Sequence, residues 1–178
     1  MSEKQKSKFA RAFDITLSVI IALLVVLIVV LLFVATPMTV SGESMYPSLH
    51  DGDKVVVLKV GASIERGDIV VFERPGGSEP PVKRVIGMPG DVIRFDSAQR
   101  AYFVNGERLD DFAPDGGYPA DYLALSAPDV RAALTGDGIA VGEDEYFVLG
   151  DNRAISKDSH EYGCIKKDWI TGKVILQY

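Results

Sequence analysis

Cysteine is almost absent: Cys164 is the only one in 178 residues, so no disulfide framework within the chain can hold the fold. Histidine is nearly as scarce, with His50 and His160 alone, and neither a His-Glu-x-x-His run nor a cysteine pair offers a zinc site. No metal or cofactor is therefore expected. An excess of positive charge is also lacking. Lys and Arg total 19 against 25 Asp and Glu, a net charge of −6, which argues against nucleic acid as the main partner. There is no Gly-x-Ser-x-Gly nucleophile motif and no internal repeat. Disorder is excluded in turn, because 47% of the residues are hydrophobic and 9% aromatic.

Much of that apolar content sits in one block. Ile15 to Ala35 are 21 positions without a charge, and only Thr16 and Ser18 among them are polar. As a helix rising about 1.5 Å per residue the block spans about 32 Å, close to the ~30 Å core of a bilayer. It is apolar on every face, as a segment in lipid must be. Lys4, Lys6, Lys8 and Arg11 precede it, whereas the 164 residues after Asp14 carry 15 basic and 23 acidic side chains. Basic residues stay on the cytoplasmic side, so the expected arrangement is a cytoplasmic N-terminus (1–14), a transmembrane helix (15–35) and an extracytoplasmic domain (36–178) in the cell membrane. The competing reading is a cleaved signal peptide, whose apolar region runs only about 7–15 residues before a small-x-small site. This run is longer, and Val34-Ala-Thr-Pro37 is a poor cleavage site.

Beyond Pro37 the pattern changes to short apolar runs divided by Gly, Pro and Asp. Strands are expected at Lys54–Val60, Asp68–Phe72, Val82–Ile86, Val92–Phe95, Tyr102–Val104 with Glu107–Leu109, Glu145–Leu149 and Trp169–Leu176, each rich in Val, Ile, Phe or Tyr. Asn105-Gly106 predicts a two-residue hairpin turn. The one helix expected outside the membrane covers Ala127–Leu134, with Ser126 as its cap and Pro128 in its first turn. Pro75–Pro81 should be an exposed loop. Residues 96–144 are acidic and rich in loop formers, and predict a small inserted subdomain on a mainly β, antiparallel core.

Three polar segments could carry chemistry. Ser41-Gly-Glu-Ser-Met-Tyr-Pro-Ser-Leu49 places Ser44 on a bent backbone between Gly42 and Pro47, where a hydroxyl and nearby N–H groups could be presented; equally, it is a loop that holds a serine. In Pro81-Val-Lys-Arg-Val-Ile-Gly-Met-Pro-Gly-Asp91, strand alternation sends Lys83 and Arg84 to opposite faces, so one cation must lie against the core. A desolvated lysine can give up its proton there, whereas arginine cannot. Two snorkelling surface cations are the plainer alternative. Gly150-Asp-Asn-Arg-Ala-Ile-Ser-Lys-Asp-Ser-His160 follows a strand and reads either as a site or as a self-bracing turn. A His-based triad from Ser44, His160 and an aspartate is a further option, since triads are defined by geometry.

In this order, and behind an N-terminal apolar block, the three segments resemble those of bacterial type I signal peptidases, in their compact Gram-positive form. The resemblance runs from residue 15 to 176 and is weakest in the acidic insertion. It implies a membrane-anchored serine endopeptidase with the antiparallel β catalytic domain of that family. The substrates would be signal peptides of exported preproteins, cut after a small-x-small (Ala-x-Ala) site at the lipid bilayer. By position, Ser44 resembles the nucleophile, with its backbone N–H in the oxyanion hole, and Lys83 the general base. Ser156 would hydrogen-bond and orient the lysine amine, and Asp151, Arg153 and Asp158 would brace the site. Met45 and Val82 match positions that line the substrate groove. At pH 7 only about one unperturbed lysine in 2,500 is neutral, so reaching about one in ten demands desolvation worth about 3 kcal/mol.

Two positions depart from the family pattern. Gly42 stands where one branch has a serine that completes the oxyanion hole, which leaves the second donor unassigned. His160 replaces an arginine, so the partner expected for Asp158 is an imidazole and the brace should be looser or pH-sensitive. A self-cleaving repressor-type protease would share the fold but predicts a DNA-binding domain and no anchor. A tethered β-domain that only binds a partner would make Ser44 and Lys83 incidental.

Overall fold

The computed structural model describes residues 3–59, 63–77, 79–110, 112 and 118–178, with backbone alone for 3–12 and 31–33. Val60 and Ser78, which fall in an expected strand and an expected loop, lie outside the described residues, as do the side chains of Lys4, Lys6, Lys8 and Arg11. The chain divides into two compact units, one ending at Thr36 and the other spanning Pro37–Tyr178. The first is a single helix, α1 (Glu3–Val34), within which Phe13–Val30 is long and apolar enough to cross a membrane.

The second unit is mainly β. Among the described residues its strands are β1 (Ala35–Thr39), β2 (Lys54–Leu58), β3 (Ile69–Phe72), β4 (Val82–Gly87), β5 (Val92–Asp96), β6 (Ala101–Val104), β7 (Glu107–Arg108), β8 (Ile139–Ala140), β9 (Glu145–Leu149), β10 (Ile165–Lys166) and β11 (Ile170–Gln177). Among the described residues two short α-helices, α2 (Pro128–Thr135) and α3 (Ser159–Tyr162), and a 3-10 turn at Lys167–Trp169 complete it. A seven-stranded sheet runs β1-β2-β11-β3-β4-β9-β10, and a four-stranded sheet runs β7-β6-β5-β8. Among the described residues, β10–β9, β11–β2, β11–β3, β3–β4, β4–β9, β5–β6, β5–β8 and β6–β7 pair antiparallel.

Most expected strands form within a residue or two of their expected ends, since their β-branched and aromatic side chains suit a half-buried pleat. Asn105 and Gly106 have φ of 53° and 85° and join β6 to β7, the paired positive values that such a hairpin turn requires. Other elements differ. Ser126 does not cap α2; Ala127 takes that position without a side-chain bond, its N–H donating to Glu161 O at 3.0 Å. The buried Ser126 hydroxyl has no partner among the described residues. Two-residue strands β8 and β10 carry too little pattern to be read from sequence. The loop residues Pro75, Gly76, Gly77, Glu79 and Pro80 are exposed, and Pro81 is half-buried.

The insertion is more ordered than its composition suggests. Its sheet begins at Val92, and Phe95, Tyr102, Tyr118 and Tyr122 meet edge to face or tilted with centroids 5.0–6.1 Å apart. These rings form a buried cluster with Ile86, Phe147 and Leu149 of the larger sheet, so the small sheet is fastened by apolar burial to β4 and β9. A separate cluster of Val40, Met45, Leu49, Val55, Val57, Val71 and Val82 roots the Ser44 loop.

Strand β11 crosses between β2 and β3, and its register shifts between Val174 and Leu176 and between Ile170 and Gly172. A Cβ on Gly172 would lie 2.5 Å from Val57 Cγ1 and 2.6 Å from Leu58 O. Gly172→Ala is therefore expected to lower the thermal midpoint by several degrees, equivalent to about 1–3 kcal/mol. An unchanged Tm would show that β2 and β11 can separate without cost.

Candidate active site

The Ser44 loop leaves β1, is rooted in the apolar cluster through Met45 and Leu49, and turns its serine toward β4. Backbone bonds close the loop, with Leu49 N–H donating to Met45 O at 3.0 Å and Gly42 N–H to Asp51 Oδ1 at 2.7 Å. Lys83, on β4 opposite Val70, reaches the same point. Its Nζ donates to Ser44 Oγ at 2.7 Å and to Val82 O at 3.0 Å. Lys83 is only 4% exposed, and burial pushes its amine below the ordinary lysine value against the opposing fields of Asp158 and Asp151.

The snorkelling alternative fails for both cations. The side chain of Arg84 is 13% exposed, and it grips Asp151 with Nε at 2.8 Å and Nη2 at 2.5 Å. It also donates to Gly67 O at 2.8 Å and Ser48 Oγ at 3.0 Å, with its guanidinium 5.0 Å from the Phe112 ring centre. Sequence reasoning passed over Arg84 as a site residue. The available signal was the adjacent Lys-Arg pair itself, one cation for each face of a buried strand.

The segment after β9 holds the remaining expected residues around Gly150. Asp158, fully buried, accepts from Gly150 N–H at 2.8 Å through Oδ2, and meets His160 Nδ1 at 2.7 Å through Oδ1. Arg153 donates from Nε to Gly150 O at 2.7 Å, and its other nitrogens reach the Tyr118 hydroxyl and Phe112 O. Both sides of Gly150 are thus fixed by charged side chains. The fixing matters because an added Cβ there would collide with Ser156 Oγ and Ser44 O. Only glycine lets this loop approach the serine so closely.

His160 fills the arginine position with a different set of contacts. Its ring lies 4.5 Å from that of Tyr122, inclined by 20°, so the turn segment before α2 supports the Asp158 partner by stacking. Among the described residues, neither histidine bonds Ser44. His50 instead lies 3.7 Å from Asp53 and edge-on to Tyr46.

Two expectations change. Ser156 is buried beside Gly150 and Ser44, but its hydroxyl makes no hydrogen bond among the described residues, so it does not hold the lysine amine. The amine instead spends two donors on Ser44 and Val82. Met45 is 1% exposed and lies in the apolar cluster beneath the loop, not on a groove wall, because Val55, Val57 and Val71 offer it a closed environment. Val82 does line the groove of about 570 Å³ that holds Ser44 and Lys83, along with Met38, Val40 and Pro81. Cys164 is half-buried against the small-sheet cluster, and burial pushes its thiol up to about 12, which keeps it inert at neutral pH.

Residues 12–178 match the protein family described as "Signal peptidase, peptidase S26". The chain is 37% identical over 156 residues to a signal peptidase IB of Staphylococcus aureus strain COL, covering 82% of this chain and 78% of that one. It is 35% identical over 181 residues to a signal peptidase I of Bacillus amyloliquefaciens, covering 96% and 90%. A crystal structure of a signal peptidase I from Enterococcus faecalis V583, 27% identical, matches 64% of this chain and 98% of its own at a TM-score of 0.47.

The field of Asp158 raises the Lys83 pKa, so any loss of neutralisation at Asp158 makes the amine harder to deprotonate. His160→Ala removes a donor from a fully buried carboxylate. It is expected to destabilise the fold by about 1–3 kcal/mol and to move Lys83 deprotonation to higher pH. His160→Arg, which restores a permanent charge, should move it back or lower. If both substitutions left unfolding and the Lys83 titration unchanged, the brace would play no part.

Proposed function

The chain belongs to the signal peptidase family, whose members are membrane-associated serine proteases that remove signal peptides, and from that premise we propose that Ser44 and Lys83 form its catalytic dyad. The observation that carries this reading is the 2.7 Å contact between a serine hydroxyl and a desolvated lysine amine in an open groove.

In the free enzyme, burial favours a neutral Lys83, which can accept the Ser44 proton as Oγ attacks the scissile carbonyl. The same amine, now protonated, passes the proton to the departing amine of the mature protein. Water then attacks the acyl-enzyme with Lys83 again as base, releasing the signal peptide and restoring Ser44. A Ser-Lys pair of this kind is a recognised variant of the serine triad. The Ser44 N–H serves the oxyanion. The Gly42 N–H is spent on Asp51, which leaves the Ser41 hydroxyl, on the groove wall, as the side-chain donor available on this loop.

The groove walls supply the rest of the substrate reading. Met38, Val40 and Val82 make its surface apolar near the dyad, suited to small side chains one and three residues before the cut. An extended peptide between β1 and the approach to β4 would add to the sheet by main-chain bonds. The helix around Phe13–Val30 acts as a membrane anchor with its N-terminus in the cytoplasm, following the basic residues before it. Ser44 follows Ala35 by nine positions, a tether of at most about 30 Å.

The test is cleavage of a preprotein with an Ala-x-Ala site by the full-length protein in detergent. Ser44→Ala and Lys83→Ala should each abolish cleavage, by 10³-fold or more on the order expected for removing a nucleophile or its base. Cleavage that survives Lys83→Ala but is lost in His160→Ala would replace the dyad by a histidine mechanism. Cleavage unaffected by either dyad substitution would place the site elsewhere.

A further inference from the structure

The groove that holds Ser44 and Lys83 carries one acidic side chain among its described lining residues, Glu79, four positions before Lys83. Glu79 is exposed, and its carboxylate has no hydrogen-bond or ion-pair partner among the described residues. Its nearest rival in the motif, Glu43, is instead turned to the Asp51 N–H at 3.4 Å. Lys83 does not neutralise Glu79 either: its amine is spent on Ser44 and Val82, and the carboxylates that act on it are Asp158 and Asp151.

The negative character continues beyond the groove. An adjoining hollow of about 230 Å³ is lined by Glu79 and Glu73, with Arg74 as its cation. That guanidinium is drawn over the Tyr162 ring, 4.4 Å from its centre. A peptide leaving the dyad along this wall therefore meets an unpaired carboxylate and a cation already engaged.

Chain length bounds the position. The four residues from Glu79 to Lys83 cover at most about 13 Å even when fully extended, so Glu79 is within reach of a substrate residue up to about four or five from the scissile bond. The cavity beside the dyad is also where small residues before the cut would be read, so this end of the groove holds the acyl side. We propose that Glu79 is a specificity-determining residue that favours lysine or arginine, and disfavours acid, about four or five residues before the cleavage site. The inference rests on the Ser44–Lys83 reading of the same groove.

Exposed ion pairs are weak, so attraction of a base and repulsion of an acid together amount to a preference of about 3- to 10-fold in kcat/KM. Screening must erode it, because the Debye length falls from about 10 Å at 0.1 M salt to about 3 Å at 1 M.

The experiment is a charge scan. Ala-x-Ala peptides carrying a single Lys, Gln or Glu at successive positions on both sides of the scissile bond are cut by the full-length enzyme in detergent, at low and at high salt. The expected result is a Lys-over-Glu preference four or five residues before the cut. It should vanish in Glu79→Gln, reverse in Glu79→Lys, and persist in Glu107→Gln, an exposed change on the small sheet. A preference that survives Glu79→Gln, or one confined to residues after the cut, overturns the assignment. Ser44→Ala separates the two levels. If the neutral peptide is cut only when Ser44 is present, a flat charge scan sinks the specificity alone; if Ser44→Ala still cuts it, the dyad reading fails first.

Discussion

A lysine amine has to be dry and unpaired to serve as a base near neutral pH, and the architecture around Lys83 is arranged to keep it so. Two carboxylates, Asp151 and Asp158, act on this amine, and either could capture it in a salt bridge that would fix its proton. Each is occupied. Asp151 is held by Nε and Nη2 of Arg84, and Asp158 by the Gly150 N–H and His160. Lys83 is left with a hydroxyl and a carbonyl. Arg84 follows Lys83 directly, so one strand delivers the cation to be neutralised and the cation that diverts the competing anion.

The two sheets divide the work. The larger one carries Lys83 on β4 and, through β9, the Gly150 loop that abuts Ser44. The segment between β7 and α2, packed on the smaller sheet, holds that loop from behind, with Tyr118 meeting Arg153 and Tyr122 stacking on His160. A rigid, buried aromatic cluster is a suitable support, because its rings have few rotamers to lose and each hydroxyl finds a partner at its rim. Tyr102 and Tyr122 do this between themselves at 3.3 Å, and burial pushes both phenols up, so neither ionises. The insertion is thus a structural part of the proposed catalytic machinery.

Much of this was legible before any coordinates. Val- and Ile-rich runs announced the strands, Asn105-Gly106 announced a hairpin, and Ser44 and Lys83 stood out once their segments were read together. What stayed hidden depended on long-range geometry. The aromatic cluster draws Phe95, Tyr102, Tyr118 and Tyr122 from separate segments, so an acidic, loop-rich composition concealed a core. Ser126 looked like a helix cap because local spacing favours it, but the chain paired Ala127 with Glu161 instead. Met45 sits beside the serine in sequence, yet the loop turns it into the apolar cluster. The side chain of Ser156 is close to the dyad, and only the coordinates show that its hydroxyl leaves the amine unbonded.

The account stands or falls on the protonation of one nitrogen. Its most direct test is an NMR titration of Lys83 in the full-length protein in detergent, with labelled lysine side chains and the resonance assigned through Lys83→Arg. Lys83 is expected to lose its proton below the usual lysine value of 10.5, in the same pH range over which cleavage turns on. A Lys83 signal that titrates at that usual value, with activity already full far below it, would contradict it.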